Sequence, residues 1–465
     1  MTDPTSTHGV SFSEALRTWA RVAALSFGGP TGQIAVIHRN IVEEKHWISE
    51  ERFLHALNYC MLLPGPEAQQ LATYIGWIMH RTRGGLMAGG LFILPGFIAL
   101  MALSILYAQY GEVPVVAAMF FGLKPAVIAV VAEAVVRIGK RVLKNEVMLA
   151  IAVLAFIAVF FFNVPFPMVV LVAAIIGFIG NRVAPQKFAV VKGHGDKHAE
   201  ENPPLVPDDV ELPHTRPTWE KLCTVIVIGA LAWFGPLALL AWQLSPQHVL
   251  VKEGVYFSKA AMVTFGGAYA VLDYVRQDAV EEFQWVEPDE MLVGLGMAET
   301  TPGPLILVLQ FVGFMGGYKH GPMDTPGMPP LAGGIAGACV TVWTTFVPCF
   351  IWIFAGAPYI ERVRSVKALS AALSSITAAV VGCVFNLAIW FAVHVVFRHV
   401  DTRTIDLGLA GAQLRWLAPD VSSLQIDALL VALFAAGMLF VLKRGLLPTL
   451  AASVAFGAAL WALKK

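Results

Sequence analysis

Charge is scarce in this chain. Only 14% of its 465 residues are Asp, Glu, Lys or Arg, against 57% that are hydrophobic. A soluble protein of this size needs far more charge to cover its surface. The net charge is zero, which leaves no electrostatic footprint for a nucleic acid. Cysteine is sparse as well: Cys60, Cys223, Cys339, Cys349 and Cys383 are scattered without CxxC spacing. They read as small hydrophobes, so no disulfide frame and no metal cage is expected. A G-x-x-x-x-G-K-[ST] loop and a dinucleotide fingerprint are both missing, so neither nucleotide-driven nor flavin-dependent chemistry is expected, and no cofactor. The stretch up to Thr18 is polar and has no apolar h-region, so no cleaved signal peptide is expected.

What the chain has in abundance is long apolar sequence. Hydrophobic runs fall at about 19–37, 53–79, 84–108, 113–136, 146–162, 164–180, 222–243, 257–275, 290–315, 331–356, 368–396, 426–442 and 445–463, about thirteen in all and of membrane-crossing length. The expected fold is therefore an all-α integral membrane protein. One sizeable polar stretch interrupts it, Asn181 to Glu220, rich in Lys, His, Asp and Pro. It reads as a flexible linker, with His194, His198 and His214 as solvated loop residues. The organisation is then a first repeat over 1–180, a cytoplasmic linker over 181–220, a connecting helix over 221–244 and a second repeat over 245–465. Basic clusters at Arg81/Arg83, Arg137–Lys144, Arg182–Lys197, Arg362/Arg364/Lys367 and Lys443/Arg444 all count to one face, taken as cytoplasmic. The stretch Arg398–Gln425 then faces outward, although it carries arginines of its own.

The second half repeats the first. Ser26–Pro66 aligns with Thr264–Pro304 at a constant shift of 238 residues, and twelve of the 41 positions are identical. SFGG meets TFGG, Val42-Glu43-Glu44 meets Val280-Glu281-Glu282, Trp47 meets Trp285, and Pro64-Gly65-Pro66 meets Pro302-Gly303-Pro304. An odd number of segments precedes the second copy, so the copies are expected to enter from opposite sides, as inverted-topology repeats do.

Each copy carries two interruptions. A Pro-Gly-Pro inside an apolar run cannot continue a helix, because two N–H groups are missing and the rings clash with the preceding turn. Freed backbone groups at membrane depth are tolerated only inside protein or beside a polar cavity. The runs 53–79 and 290–315 are therefore expected to be broken or re-entrant. Pro66 is suited to the first position of a helix starting at Glu67. Gly28-Gly29-Pro30-Thr31-Gly32 likewise reads as a glycine-rich turn opening a helix, with Gly266 and Gly267 as its second-copy counterpart. Such helix starts present unpaired N–H groups and a positive dipole end, which is anion-binding chemistry. The alternative is that these glycines and prolines serve close helix packing alone.

The polar residues beside the breaks extend this reading. In the first copy they are Thr31, Gln33, Asn58, Gln69, Gln70 and Thr73. In the second, Leu307 and Val308 replace the two glutamines, while Thr300 and Thr301 precede Gly303. The first copy is therefore the better candidate binder. Lys124 lies near the middle of its run and is expected to face the interior, as a substrate cation or a structural ion pair. Glu133, nine residues on, is not an obvious partner for it. Arg21 and Lys259 sit seven residues before the paired glycines and could supply positive field or anchor at the interface. Glu67 and Glu299 flank the two breaks, where either could carry a proton or pair a cation.

The segments SFGGPTGQIAVIHRNIVEEKHWISEERFLHALNYCMLLPGPEAQQLATYIGW, TFGGAYAVL and GLGMAETTPGPLILVLQFVGF resemble the signatures of the chromate ion transporter family, in its long two-domain form. The likeness covers essentially the whole chain. It implies a bacterial inner-membrane protein that exports chromate and confers resistance to it. Sulfate is the rival substrate, since both ions are tetrahedral dianions. A dianion leaving a cell gains about 4.6 kcal/mol per 100 mV, twice the per-charge figure. A membrane-bound chromate reductase would need a redox cofactor that no motif here serves, and a passive anion channel would lack saturable kinetics. Lipid surrounds the chain on this reading, and a homo-oligomer is compatible with it.

Overall fold

The computed structural model describes residues 9–188, 204–206, 212–265, 267–360, 367–406 and 413–463. Gly266, Arg362, Arg364, His194, His198 and the greater part of the linker lie outside them. The first copy forms α1 (Phe12–Leu25), α2 (Gly29–His38), a π-helical turn (Arg39–Glu44), α3 (Glu50–Cys60), α4 (Glu67–Tyr110), α5 (Pro114–Val142), α6 (Glu146–Phe162), α7 (Phe166–Val183) and the short α8 (Pro185–Phe188). The connecting helix is α9 (Trp219–Gln243). The second copy forms α10 (Val249–Val263), α11 (Ala268–Arg276), a π-helical turn (Gln277–Glu282), α12 (Pro288–Thr300), α13 (Val308–Asp324), α14 (Pro330–Ile360) and α15 (Lys367–Val396). An antiparallel hairpin of β1 (Val400–Asp406) and β2 (Gln413–Pro419) follows, then α16 (Ile426–Ala436) and α17 (Leu446–Leu463).

The 238-residue shift holds in the backbone. Both π turns fall at equivalent positions, and each is closed by the tryptophan amide that follows: Trp47 N–H donates to the Ile41 carbonyl and Trp285 N–H to that of Ala279, both at 2.9 Å. His46 and Gln284 both take positive φ, 49° and 53°. Helical hairpins also correspond. α4 is bent back on itself at His80 and Arg81, whose angles are non-helical. A methyl group on Gly76 would lie 2.5 Å from the Gly84 carbonyl oxygen. Eight residues of straight helix would span about 12 Å, so the two limbs are folded together. In the second copy α13 and α14 make the same hairpin around the turn at 325–329.

Nine of the thirteen expected runs are helices. Seven are long and apolar enough to cross a membrane (67–110, 114–142, 166–183, 219–243, 330–360, 370–396 and 446–463), and two shorter apolar ones cover 146–162 and 426–441. The other four, 19–37, 53–79, 257–275 and 290–315, are each interrupted, and they are the four that carry FGG or Pro-Gly-Pro. The hairpin adds a small β element, in the stretch read as outward-facing, to a fold expected to be all helix.

Chain packing divides the protein into two compact units that do not follow the repeat boundary. Unit 1 comprises Met1–Ala102, Lys192–Ala268 and Thr301–Val366; unit 2 comprises Leu103–Val191, Tyr269–Thr300 and Lys367–Lys465. The core of unit 1 gathers Trp19, Trp47, Phe53, Tyr74, Phe92 and Ile353. In unit 2, α15 packs against α5, α6 and α7, and α17 against α5. The described parts of the linker are fastened to unit 1. Leu205 and Val206 N–H groups donate to the His46 and Trp47 carbonyls at 2.8 and 3.1 Å. His214, expected as a solvated loop residue, is half-buried edge-on against Trp77 and bonds the Trp77 carbonyl oxygen at 3.0 Å. Burial lowers its pKa to about 4.

Candidate functional site

All four interruptions have their described residues in unit 1. Gly28 caps α2 with φ 83°, Gly29 follows at 75°, and its counterpart Gly267 sits at 98°. Gly65 and Gly303 take φ 122° and 94°. These values need a residue without a Cβ, which is why glycine stands at the centre of each break. A Cβ on Gly65 would also meet Cys349 Sγ at 2.8 Å and Gln70 Nε2 at 2.9 Å.

The breaks bond each other reciprocally. Gly65 N–H donates to the Thr264 carbonyl and Gly303 N–H to the Ser26 carbonyl, both at 2.8 Å. Thr264 is the equivalent of Ser26, and Gly303 of Gly65, so each Pro-Gly-Pro of one copy holds the FGG entry of the other. Two-fold related surfaces produce this kind of exchange. The hydroxyls match too: Ser26 Oγ donates to Val22 O at 2.7 Å and Thr264 Oγ1 to Ala260 O at 2.6 Å.

Around this exchange lie the buried amides of the first copy. Gln33 Nε2 donates to Gly303 O at 2.6 Å, Gln70 Nε2 to Pro64 O at 2.8 Å, and Gln69 Nε2 to Thr73 Oγ1 at 3.0 Å. Gln33, Gln69, Gln70 and Thr73 are all buried. The Oε1 atoms of Gln69 and Gln70 have no hydrogen-bond partner. The Gln70 orientation is fixed by chemistry, because turning its amide would set oxygen against the Pro64 carbonyl. Thr301 is buried, Gly32 and Glu67 are half-buried, and Thr31 and Asn58 are exposed.

The charged candidates are spread more widely. Lys124 belongs to unit 2, where its Nζ meets Asp289 Oδ2 at 2.7 Å. Glu133, as expected, is not its partner and pairs instead with Arg137 one turn away. Glu299, also in unit 2, is buried and accepts from the Tyr269 hydroxyl. Thr300 there donates to Met297 O at 2.8 Å. Arg21 is exposed and bridges to Glu44 at 3.3 Å; Lys259 is exposed.

Two buried features escaped sequence reading. Arg276 is buried in unit 2 between Asp273 at 3.3 Å and Glu281 at 2.9 Å, over the Trp390 ring. Asn386 donates to the same Asp273 oxygen at 2.9 Å. The repeat register held a signal for it, since His38 is the Arg276 equivalent and pairs with Glu43 at 3.1 Å, the Glu281 equivalent. The second feature is Glu253 in α10. It is fully buried, and it lies just before the apolar run read at 257–275.

The family model described as "Chromate transporter" matches residues 13–178 and 252–461, one stretch on each copy with the linker left out. The chain belongs to the chromate transporter family. It is 30% identical to a chromate transport protein of Pseudomonas aeruginosa over 443 residues, 94% of each chain. It is 27% identical to the chromate transport protein of Cupriavidus metallidurans, over 80% of each chain. A probable chromate transport protein of Synechococcus elongatus is 24% identical over 80% of this chain and 83% of that one. No solved structure matches the chain. Membership of a transporter family, with several membrane-length apolar helices, makes this a multi-pass membrane protein.

Proposed function

We propose that the chain is a secondary transporter that exports chromate from the cytoplasm across a bacterial inner membrane, with its two copies in inverted topology. Membership of the family and the names of its relatives, chromate transport proteins, support the substrate. The observation that carries the mechanism is the reciprocal bonding of the breaks, Gly65 to Thr264 and Gly303 to Ser26. An element in which each copy clasps the other can be released on one side and kept on the other, which is what alternating access requires.

The oxyanion site on this reading is the first-copy break. Gly28, Gly29, Thr31, Gly32 and Gln33 open α2; Gly65, Glu67, Gln69, Gln70 and Thr73 open α4. Gly303 contributes from the second copy, with Gly267 and Thr301 proposed beside it; Thr300 and Gly266 are proposed from the sequence, and Gly266 lies outside the described residues. Chromate offers only acceptors, so on this reading it competes with Pro64 O for the Gln70 Nε2 donors and with Gly303 O for those of Gln33. Binding would thereby loosen the clasp. Lys124 is proposed separately as a cation of the transport path, trading the half-exposed Asp289 carboxylate for the dianion. Arg21 and Lys259 contribute field, and Glu299 a titratable site.

Inverted vesicles loaded with labelled chromate, with sulfate as competitor, test the proposal. Saturable uptake that sulfate inhibits weakly is expected. Uptake of sulfate in preference to chromate would reassign the substrate, and linear, unsaturable flux would make the protein a channel.

A further inference from the structure

Glu253 lies in unit 1, on α10 where that helix packs against α9, α13 and α14. Its side chain is fully buried, no side chain bonds either carboxyl oxygen, and the one donor near it is the Gly317 N–H. The space it fills exists because its neighbours are glycines: a Cβ on Gly337 would meet Glu253 Oε2 at 2.8 Å and the Gly313 carbonyl oxygen. The ionisable groups of the surrounding elements are Tyr318, Lys319, His320 and Asp324 on α13 and Cys339, Cys349 and Tyr359 on α14; α9 has none after Cys223. On its own helix they are Lys252, Tyr256 and Lys259, with His248 at the N-cap. His248 is bonded to Thr325, and Asp324 accepts from Val249 N–H. An isolated carboxylate in such a place is too costly to persist, so the group holds a proton.

A line of polar atoms leads away from it. Gly337, Thr341, Thr345 and Cys349 follow one another at four-residue spacing on one face of α14. Thr341 and Thr345 are buried, and their hydroxyl oxygens have no hydrogen-bond partner. Cys349 Sγ donates to Thr345 O at 3.4 Å and approaches Gly65 in the first-copy break. The line spans about 18 Å from the glycine beside Glu253 to the residue beside Gly65. A buried hydroxyl left unpaired costs stability without any structural return.

We infer that Glu253 is the proton-binding residue of the transport cycle, exchanging its proton with the Gly65 break along Thr341 and Thr345. The step is a simple transfer: an O–H bond forms on the Glu253 carboxylate with a proton from one aqueous side and breaks to deliver it to the other. This coupling role rests on the transport function proposed above. It is a property of the second copy alone, because the first-copy equivalent of Glu253 is Ala15.

The test uses the purified full-length chain in proteoliposomes with an entrapped pH dye and labelled chromate. For the parent, chromate movement should carry protons, and an imposed pH gradient should drive accumulation. Glu253→Gln should keep chromate exchange and lose both proton movement and pH-driven accumulation. Thr341→Val should lose proton movement while its thermal stability is unchanged or raised, since only an unpaired hydroxyl is removed; a merely structural role predicts the reverse. Infrared spectra of the parent at neutral pH should contain a protonated-carboxyl band that Glu253→Gln removes. Equal proton flux per chromate in parent and Glu253→Gln, or the same carboxyl band in both, overturns the assignment. If the parent moves neither chromate nor sulfate, the transport reading fails, while the infrared comparison still decides whether Glu253 holds a proton.

Discussion

Ser26 and Thr264, Gly65 and Gly303, and Trp47 and Trp285 behave alike in the two copies, while the side chains around them have diverged in opposite directions. The first copy keeps Gln69 and Gln70 after its break, where the second has Leu307 and Val308. The second copy places Glu253, Asp273, Arg276 and Glu299 in buried positions, where the first has Ala15, Ala35, His38 and Met61. Backbone geometry matches between the halves at the positions that form the clasp. Side-chain chemistry has been free to specialise, amides in one half and ionisable groups in the other.

The charge clamps offer the sharpest way to break that comparison. Arg276→Ala strands the buried Asp273 carboxylate and should cost about 3–5 kcal/mol, read as a fall in thermal midpoint in detergent. His38→Ala opens the equivalent pair where Glu43 is exposed and should cost at most about 1 kcal/mol. Equal losses would mean that the halves have not diverged as described.

The clasp should respond more evenly. Gly65→Ala and Gly303→Ala each force a side chain into positive φ, at about 1–3 kcal/mol. Gly65→Ala should be the worse, because its Cβ meets Cys349 and Gln70, whereas at Gly303 the nearest atom is the Phe92 carbonyl oxygen at 3.2 Å. A harmless Gly65→Ala would remove the clasp from the account.

These expectations show what sequence could reveal. FGG and Pro-Gly-Pro have backbone requirements so strict that four helix breaks were legible, as was the register between the copies. The thirteen apolar runs were legible as runs, but hydropathy alone does not distinguish a crossing helix from two short helices meeting at a turn. The reciprocal bonds were beyond reach, because nothing in the repeat says that Gly65 meets Thr264 rather than its own Ser26. Asp289 as the partner of Lys124 was equally hidden, since 165 residues separate them. Glu253 was overlooked because it stands just outside its apolar run.

A pH-dependent effect concerns the linker, docked by His214 onto Trp77 of the first copy. Its pKa is lowered to about 4 from an ordinary 6.5, so the neutral ring is the stabilising form. That contribution is complete above about pH 6.5 and is lost as pH falls toward 4, amounting to about 1–2 kcal/mol after solvent screening. His214→Gln should flatten the stability profile in this window; an unchanged profile would mean that the linker is not held there.

The central claim, that the first-copy break binds the oxyanion, is tested most directly by initial rates of labelled chromate uptake into inverted vesicles bearing Gln69→Leu/Gln70→Val, which gives the first copy the second copy's residues. Uptake should fall at least about tenfold, equivalent to about 1.4 kcal/mol of lost interaction, with the protein still folded and inserted. Uptake at the parental rate and half-saturation would contradict it.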